Sequence, residues 1–234
     1  MDIFNLGIIV SFLPGLAWLF FYLKEDPHPE PKYLIFITFI AGIISGFVAF
    51  FIQLIINNQF EKIGILPFNN KSTALQIIFI FILYAFIEEI IKFFLVFKTI
   101  NKNKNFDEPI DAMIYMIVGA LGFATLENIG VLTNSKIIQN SMPILFQTAS
   151  LRFAGATLLH TLTSGILGYF WAMSIREFGL KKPLILGIFL ATILHTIFNF
   201  LIIIFGNTLF TFLFLAIVGM FLLTDFEKLK YKKI

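Results

Sequence analysis

The chain of 234 residues contains no cysteine and little charge, with Asp, Glu, Lys and Arg together making up 13%. Without cysteine there is no disulfide framework, no cysteine-ligated zinc and no thiolate nucleophile. So little charge beside 59% apolar residues excludes an ordinary water-soluble domain, which is about 45–50% apolar and about 25% charged. A soluble fold of this length lacks the interior to hide so much apolar surface, so lipid is the expected solvent. The 32 phenylalanines carry no functional reading of their own, because AT-rich coding accounts for abundant Phe, Ile, Asn and Lys equally well.

What is present is a series of apolar runs. A helix crosses the hydrocarbon core with about 20 apolar residues, and polar interruptions divide the chain into runs at Ile3 to Leu23, Tyr33 to Ile56, Thr73 to Phe97, Pro109 to Thr133, Ala149 to Ile175, Pro183 to Phe205 and Asn207 to Leu223. The pattern predicts an all-α, polytopic membrane protein with about seven transmembrane helices in one bundle, a single integral membrane domain over 1–234 with a basic tail at about 224–234. The first run has no basic segment before it and is longer than a secretory h-region, so it is expected to stay as a helix. Pro14 is expected to kink it. Loops one, three and five and the tail hold Lys24, Lys32, Lys98, Lys102, Lys104, Arg176, Lys181, Lys182, Lys228, Lys230, Lys232 and Lys233, against Lys62, Lys71 and Lys136 on the other side. By the positive-inside rule this predicts a multi-pass protein of the cell membrane, N-terminus outside and C-terminus cytoplasmic. The basic tail then meets membrane lipids, and no nucleic-acid partner is needed to explain it.

Ionisable residues inside the runs are costly. Insertion scales put each at about 2.5–3.5 kcal/mol at helix centre, which marks Glu88, Glu89, Lys92, Glu127, Arg152, His160 and His195 as functional candidates. Glu88 and Lys92 are four apart in the order acid then base, which predicts an ion pair and leaves Glu89 turned away without a partner. Glu127 is followed by Asn128. Ala156-Thr157-Leu158-Leu159-His160-Thr161 recurs as Ala191-Thr192-Ile193-Leu194-His195-Thr196 in the next helix, at a similar distance from its helix start, so the two imidazoles are expected at one depth, facing one another. Asn199 follows His195 by one turn. Arg152 and Asp111 fall near the interfaces and read as structural or supporting.

Carboxylates and imidazoles without cysteine suit activation of water by a general base, and an Asn amide with a neutral His can donate to a developing oxyanion. The same residues can instead build a zinc site with an open water position, for which Glu127, His160 and His195 are the candidates. No His-Glu-x-x-His motif is present, which excludes a zincin-like site. Whether a cofactor is used stays open, zinc being the possible one.

Glu88-Glu89-x-x-Lys92, Phe123-x-x-x-Glu127-Asn128, His160 followed by Ser164-Gly165 and Gly168, and His195-x-x-x-Asn199, in this order along most of the chain, resemble the four motifs of the PrsW family of intramembrane proteases, relatives of the type II CAAX prenyl proteases. The acidic, proline-rich first loop from Glu25 to Pro31 and the segment Asp107 to Asp111 extend the likeness. The resemblance implies cleavage of a single-span membrane protein substrate, an anti-sigma factor for some members. It implies Glu88 as water activator with Glu89 and Lys92 shaping its charge, Glu127 as second base or ligand where the prenyl proteases carry a histidine, and His160, His195 and Asn199 as metal ligands or oxyanion support. Members are described both as metalloproteases and as metal-independent glutamate proteases. Two other classes use buried Glu and His: a non-catalytic scaffold, as a relative in gamma-secretase is, and a proton-coupled transporter, against which stands the absence of repeated halves with broken helices.

Overall fold

The computed structural model describes residues 2–62, 73–138, 141–176, 181–206 and 208–230. Lys71, Lys232 and Lys233, the tail end at 231–234, and Asn207 at the start of the seventh predicted run lie outside them. Among the described residues there is no strand. The helices are α1 (Ile3–Tyr22), α2 (Lys32–Lys62), α3 (Ala74–Ile100), α4 (Pro109–Leu132), the single turn α5 (Ser135–Ile138), α6 (Met142–Arg152), α7 (Leu158–Arg176), α8 (Lys181–Phe200) and α9 (Thr208–Leu229), with π-helical segments at Phe153–Thr157 and Leu201–Phe205. Six of them, α1, α2, α3, α4, α8 and α9, are long and apolar enough to cross a membrane. The remaining predicted run starts earlier than its hydropathy suggests, at Met142 rather than Ala149, and passes through α6, the first π segment and α7 without interruption.

Local chemistry sets the ends. Asp2 caps α1 by accepting from the Asn5 N–H, and Thr73 and Gln76 cap α3 reciprocally. At α4, Pro109 occupies the first turn, where a missing N–H costs nothing, and the Asp111 carboxylate accepts from the N–H groups of Asp107 and Glu108 at 2.9 and 2.8 Å. Gly206 closes the second π segment in the left-handed conformation, φ +58°, that glycine adopts without strain.

Packing is organised around α4. Some 94% of its apolar window is buried inside the protein, against 28% for α1, α3, α8 and α9. It lies against α1, α2 and α7. The α2–α4 crossing is backbone on backbone: a Cβ added at Gly42 would come within 2.0 Å of the Gly119 carbonyl, and one at Gly122 within 2.0 Å of the Phe39 carbonyl. Small residues are how helices approach in lipid, where no hydrophobic force drives them together. The outer surface is the reverse of a soluble protein's, with Phe20, Phe36, Leu75 and Met220 projecting outward while Glu89, Lys92, Asn128 and Thr163 are buried.

The first loop is stapled to one end of the bundle. Tyr115 on α4 donates to Glu30 at 2.5 Å, His28 pairs with Glu108 at 2.9 Å, and Lys230 beyond α9 pairs with Glu25 at 2.7 Å. Loop one, the start of α4 and the end of α9 therefore share a face, as seven crossings require. Burial pushes the carboxyls of Asp26 and Glu30 in this loop above their ordinary values.

Candidate active site

Five helices deliver the polar residues to one place beside α4. α3 supplies Glu88, Glu89 and Lys92, α4 supplies Phe123, Glu127 and Asn128, α6 ends in Arg152, α7 carries His160 with Thr163 and Ser164, and α8 carries His195 and Asn199. The two imidazoles meet as expected, edge to face with ring centroids 5.1 Å apart. Both π segments border this site, one between Arg152 and His160 and one just after Asn199. Such segments break the regular ladder and recur at functional sites. The first of them leaves the Phe153 carbonyl to accept from Trp18 Nε1 at 2.9 Å.

The expected Glu88–Lys92 ion pair does not form. Lys92 Nζ instead contacts Glu89 Oε1 at 2.7 Å, three residues back, with neither side chain exposed. Spacings of three and four are both permitted on a helix; the choice falls to the neighbours. On the inner side of α3, Glu89 also accepts from Thr163 at 3.2 Å, from Ser164 at 3.4 Å and from His195 Nδ1 at 2.8 Å. No such set of donors faces Glu88.

Glu88 lies on the groove side. Its Oε1 accepts from Gln53 Nε2 at 2.9 Å, while Oε2 is buried with no hydrogen-bond partner and stands 3.6 Å from His195 Nε2. Gln53, on α2, escaped the reading of the sequence, although a lone Gln in a transmembrane run was the available signal. Glu127 Oε2 lies 2.9 Å from His160 Nε2 and accepts from Arg152 Nη2 at 3.1 Å. Arg152 is thus part of the site rather than an interfacial anchor. Its Nε donates to Asn128 Oδ1, and the Asn128 amide reaches Thr157 Oγ1 at 3.2 Å and the Ser11 carbonyl at 3.4 Å. Asn128 therefore ties α1, α4 and the π segment together and holds Arg152 in place.

Two grooves meet here. One, of about 660 Å³, runs along α2 and α4 past Gly46, Phe50, Gln53 and Gly130; the other, of about 370 Å³, runs beside α8 past Thr148, Ala156, Asn199 and Ile202. Glu88, Glu127 and Arg152 line both, His160, His195 and Asn199 only the second, and Glu89 and Lys92 neither. By residue type and distance, Glu88, His160 and His195 form a set that could hold a metal ion, each offering a ligand atom within 4.8 Å of the others. Glu127 stands beside that trio, bound to His160.

Residues 30–224 match the family described as PrsW family intramembrane metalloprotease. Among curated proteins, the chain is 32% identical over 170 residues to Protease PrsW of Geobacillus kaustophilus, covering 72% of this chain and 66% of that one. It is 30% identical over 190 residues to Protease PrsW of Oceanobacillus iheyensis, covering 81% and 79%, and 27% identical over 206 residues to Protease PrsW of Bacillus subtilis, covering 87% and 85%. No solved structure matches the chain.

Proposed function

Because the chain belongs to the PrsW family of intramembrane metalloproteases, we propose that it hydrolyses a peptide bond in a membrane-anchored, single-span protein, an anti-sigma factor being one such class, with water activated by Glu88 and His195. The observation that carries this reading is the buried, unpartnered Glu88 Oε2, 3.6 Å from His195 Nε2 where two grooves converge. A buried acceptor left without a donor, here where two grooves meet, is open to substrate or water.

With Glu89 accepting from His195 Nδ1–H, the Nε2 of the neutral His195 ring carries a lone pair. A water between Glu88 Oε2 and His195 Nε2 then meets two acceptors, which leaves its own lone pair for the scissile carbonyl. In the attack the water oxygen bonds to the carbonyl carbon and its proton passes to Glu88. As the tetrahedral intermediate collapses, the carbon–nitrogen bond breaks and Glu88 returns the proton to the leaving amine. Donors for the oxyanion are at hand in the Arg152 guanidinium and the Asn199 amide, both lining the second groove. Glu89 and Lys92 touch neither groove and act by positioning. Gln53 orients Glu88 through its other oxygen.

A zinc ion bound here would polarise the water and the carbonyl. The donor types fit such an ion; the hydrogen bonds of His160 do not, since both its ring nitrogens are already engaged, Nδ1 with Lys92 and Nε2 with Glu127. Every step is therefore assigned to the chain's own residues. The distribution of Lys and Arg supports a C-terminus on the cytoplasmic side of the cell membrane.

The test is purified protein reconstituted with a tagged library of single-span membrane proteins, with and without chelator. Glu88→Ala and His195→Ala are expected to abolish cleavage while insertion is unchanged. Full cleavage by both variants would overturn the assignment.

A further inference from the structure

Lys92, like Glu89, touches neither groove. Its side chain is wholly enclosed. Three acceptors surround the ammonium: Glu89 Oε1 at 2.7 Å, His160 Nδ1 at 3.2 Å and the face of Phe123 at 4.9 Å to the ring centroid. An ammonium has three N–H donors and no acceptor, and an aromatic face takes a cation. Donors and acceptors match one for one.

That match decides a proton position. A nitrogen facing an ammonium at hydrogen-bond distance must offer a lone pair, so His160 Nδ1 is unprotonated. The neutral ring then carries its hydrogen on Nε2, which is donated to Glu127 Oε2 at 2.9 Å. His195 is set the opposite way. Its Nδ1 faces a carboxylate with acceptors only, Glu89 Oε1 at 2.8 Å, so Nδ1 carries the hydrogen and, in the neutral ring, Nε2 the lone pair. Which ring nitrogen is protonated follows from the bond that the other one makes.

We propose that Lys92 is a positioning residue: with Glu89 it forms a buried pair that imposes opposite tautomers on two touching imidazoles, so that His160 donates to Glu127 and His195 presents an acceptor to the second groove. The division matters because hydrolysis needs an acceptor left free for the water, which His195 Nε2 provides, while the His160 Nε2–H fixes Glu127 at the groove. It also withholds His160 from a metal. Ligation through Nε2 would turn an Nδ1–H onto the ammonium, and ligation through Nδ1 would place the ion where Nζ already stands. His160 joins Glu88 and His195 around an ion only if Lys92 leaves.

The consequence for cleavage rests on the proteolytic reading above; the tautomers do not, and the experiment separates them. Full-length protein with 15N-labelled histidine, in lipid nanodiscs, is read by 15N NMR, with His160→Gln and His195→Gln assigning the signals and His28 as the third. The expected spectrum has His160 protonated at Nε2 and His195 at Nδ1. Lys92→Met is expected to abolish the His160 preference and to lower kcat about 10–100-fold, the range for loss of an orienting partner, with Lys92→Arg restoring the Nε2–H signal. Added zinc is expected to remain unbound at stoichiometric level by the unaltered protein. An Nδ1–H signal for His160 in the unaltered protein, or stoichiometric zinc retained by it and lost in His160→Gln, would overturn the proposal. Should Lys92→Met fail to fold, the unaltered spectrum and the zinc measurement still decide. Loss of all cleavage in Glu88→Ala bears on the reaction alone.

Discussion

The two sides of α3 differ more than their neighbouring sequence positions suggest. Glu89 faces inward, its carboxylate met by Lys92, His195, Thr163 and Ser164, with none of it exposed. Glu88, one residue earlier and about 100° around the helix, keeps a single donor from Gln53 and one oxygen with none. A fully satisfied buried charge specifies an arrangement, because disturbing any member strands the rest in a low dielectric. An under-satisfied one beside a groove is available for chemistry. On the proposed reading two adjacent glutamates have different jobs, one holding the site and the other acting in it.

The comparison breaks most directly at Glu88. Glu88→Gln is expected to cut cleavage by at least about 100-fold, the scale of a lost general base, while thermal unfolding in detergent shifts by no more than about 1 kcal/mol. A comparable loss of stability would remove the distinction between the two residues. Glu89→Gln is expected to do the opposite, destabilising the fold by about 3–5 kcal/mol, since it leaves the enclosed Lys92 without its counter-ion; a variant that unfolds at the native midpoint would count against the inner side as a structural unit. Gln53→Leu keeps the size of the side chain and loses the donor to Glu88. A hydrogen bond to a charged group is worth about 1.5–3 kcal/mol, so kcat should fall about tenfold or more with expression unchanged. Gly130→Leu enters the larger groove, where an added Cβ meets nothing within 4 Å. The fold should hold, and KM should rise several-fold for substrates with bulky residues near the cut, as a peptide series would report.

The smallest effect lies at the aqueous end, where the Asp26 carboxyl is buried and that of Glu30 half-buried. Their raised values mean that the folded state holds more protons than the unfolded state just above the ordinary carboxylate range. Their contribution is therefore fully present below that range and is lost as pH rises through the raised values. Asp26→Asn should flatten the fall of the unfolding midpoint as pH rises above the ordinary carboxylate range; an unchanged slope would show that this loop does not contribute.

Much of this was legible beforehand, and the failures have causes. Apolar runs located the crossings because lipid demands length and hydropathy. The run at Ala149 was placed late, since Gln147 and Thr148 look like a loop although they continue α6. The repeat around His160 and His195 brought the rings together because adjacent helices are antiparallel and the two residues share a depth. The Glu88–Lys92 pair failed because helix spacing permits two partners and says nothing of which face meets the donors on α7 and α8. Gln53 went unnoticed because amides are common near helix ends; its meaning arises only where α2 crosses α3 and α4.

The sequence by itself determined the solvent, the polytopic helical class, the family's four motifs and the set of polar residues from which a site had to be built, since these follow from composition and from spacing along one helix. Tertiary structure alone decided which carboxylate is saturated and which is open, which helix is enclosed, and which partner each histidine nitrogen meets. Those depend on the rotation of each helix against its neighbours, which close glycine contacts and buried hydrogen bonds set between segments far apart in the chain.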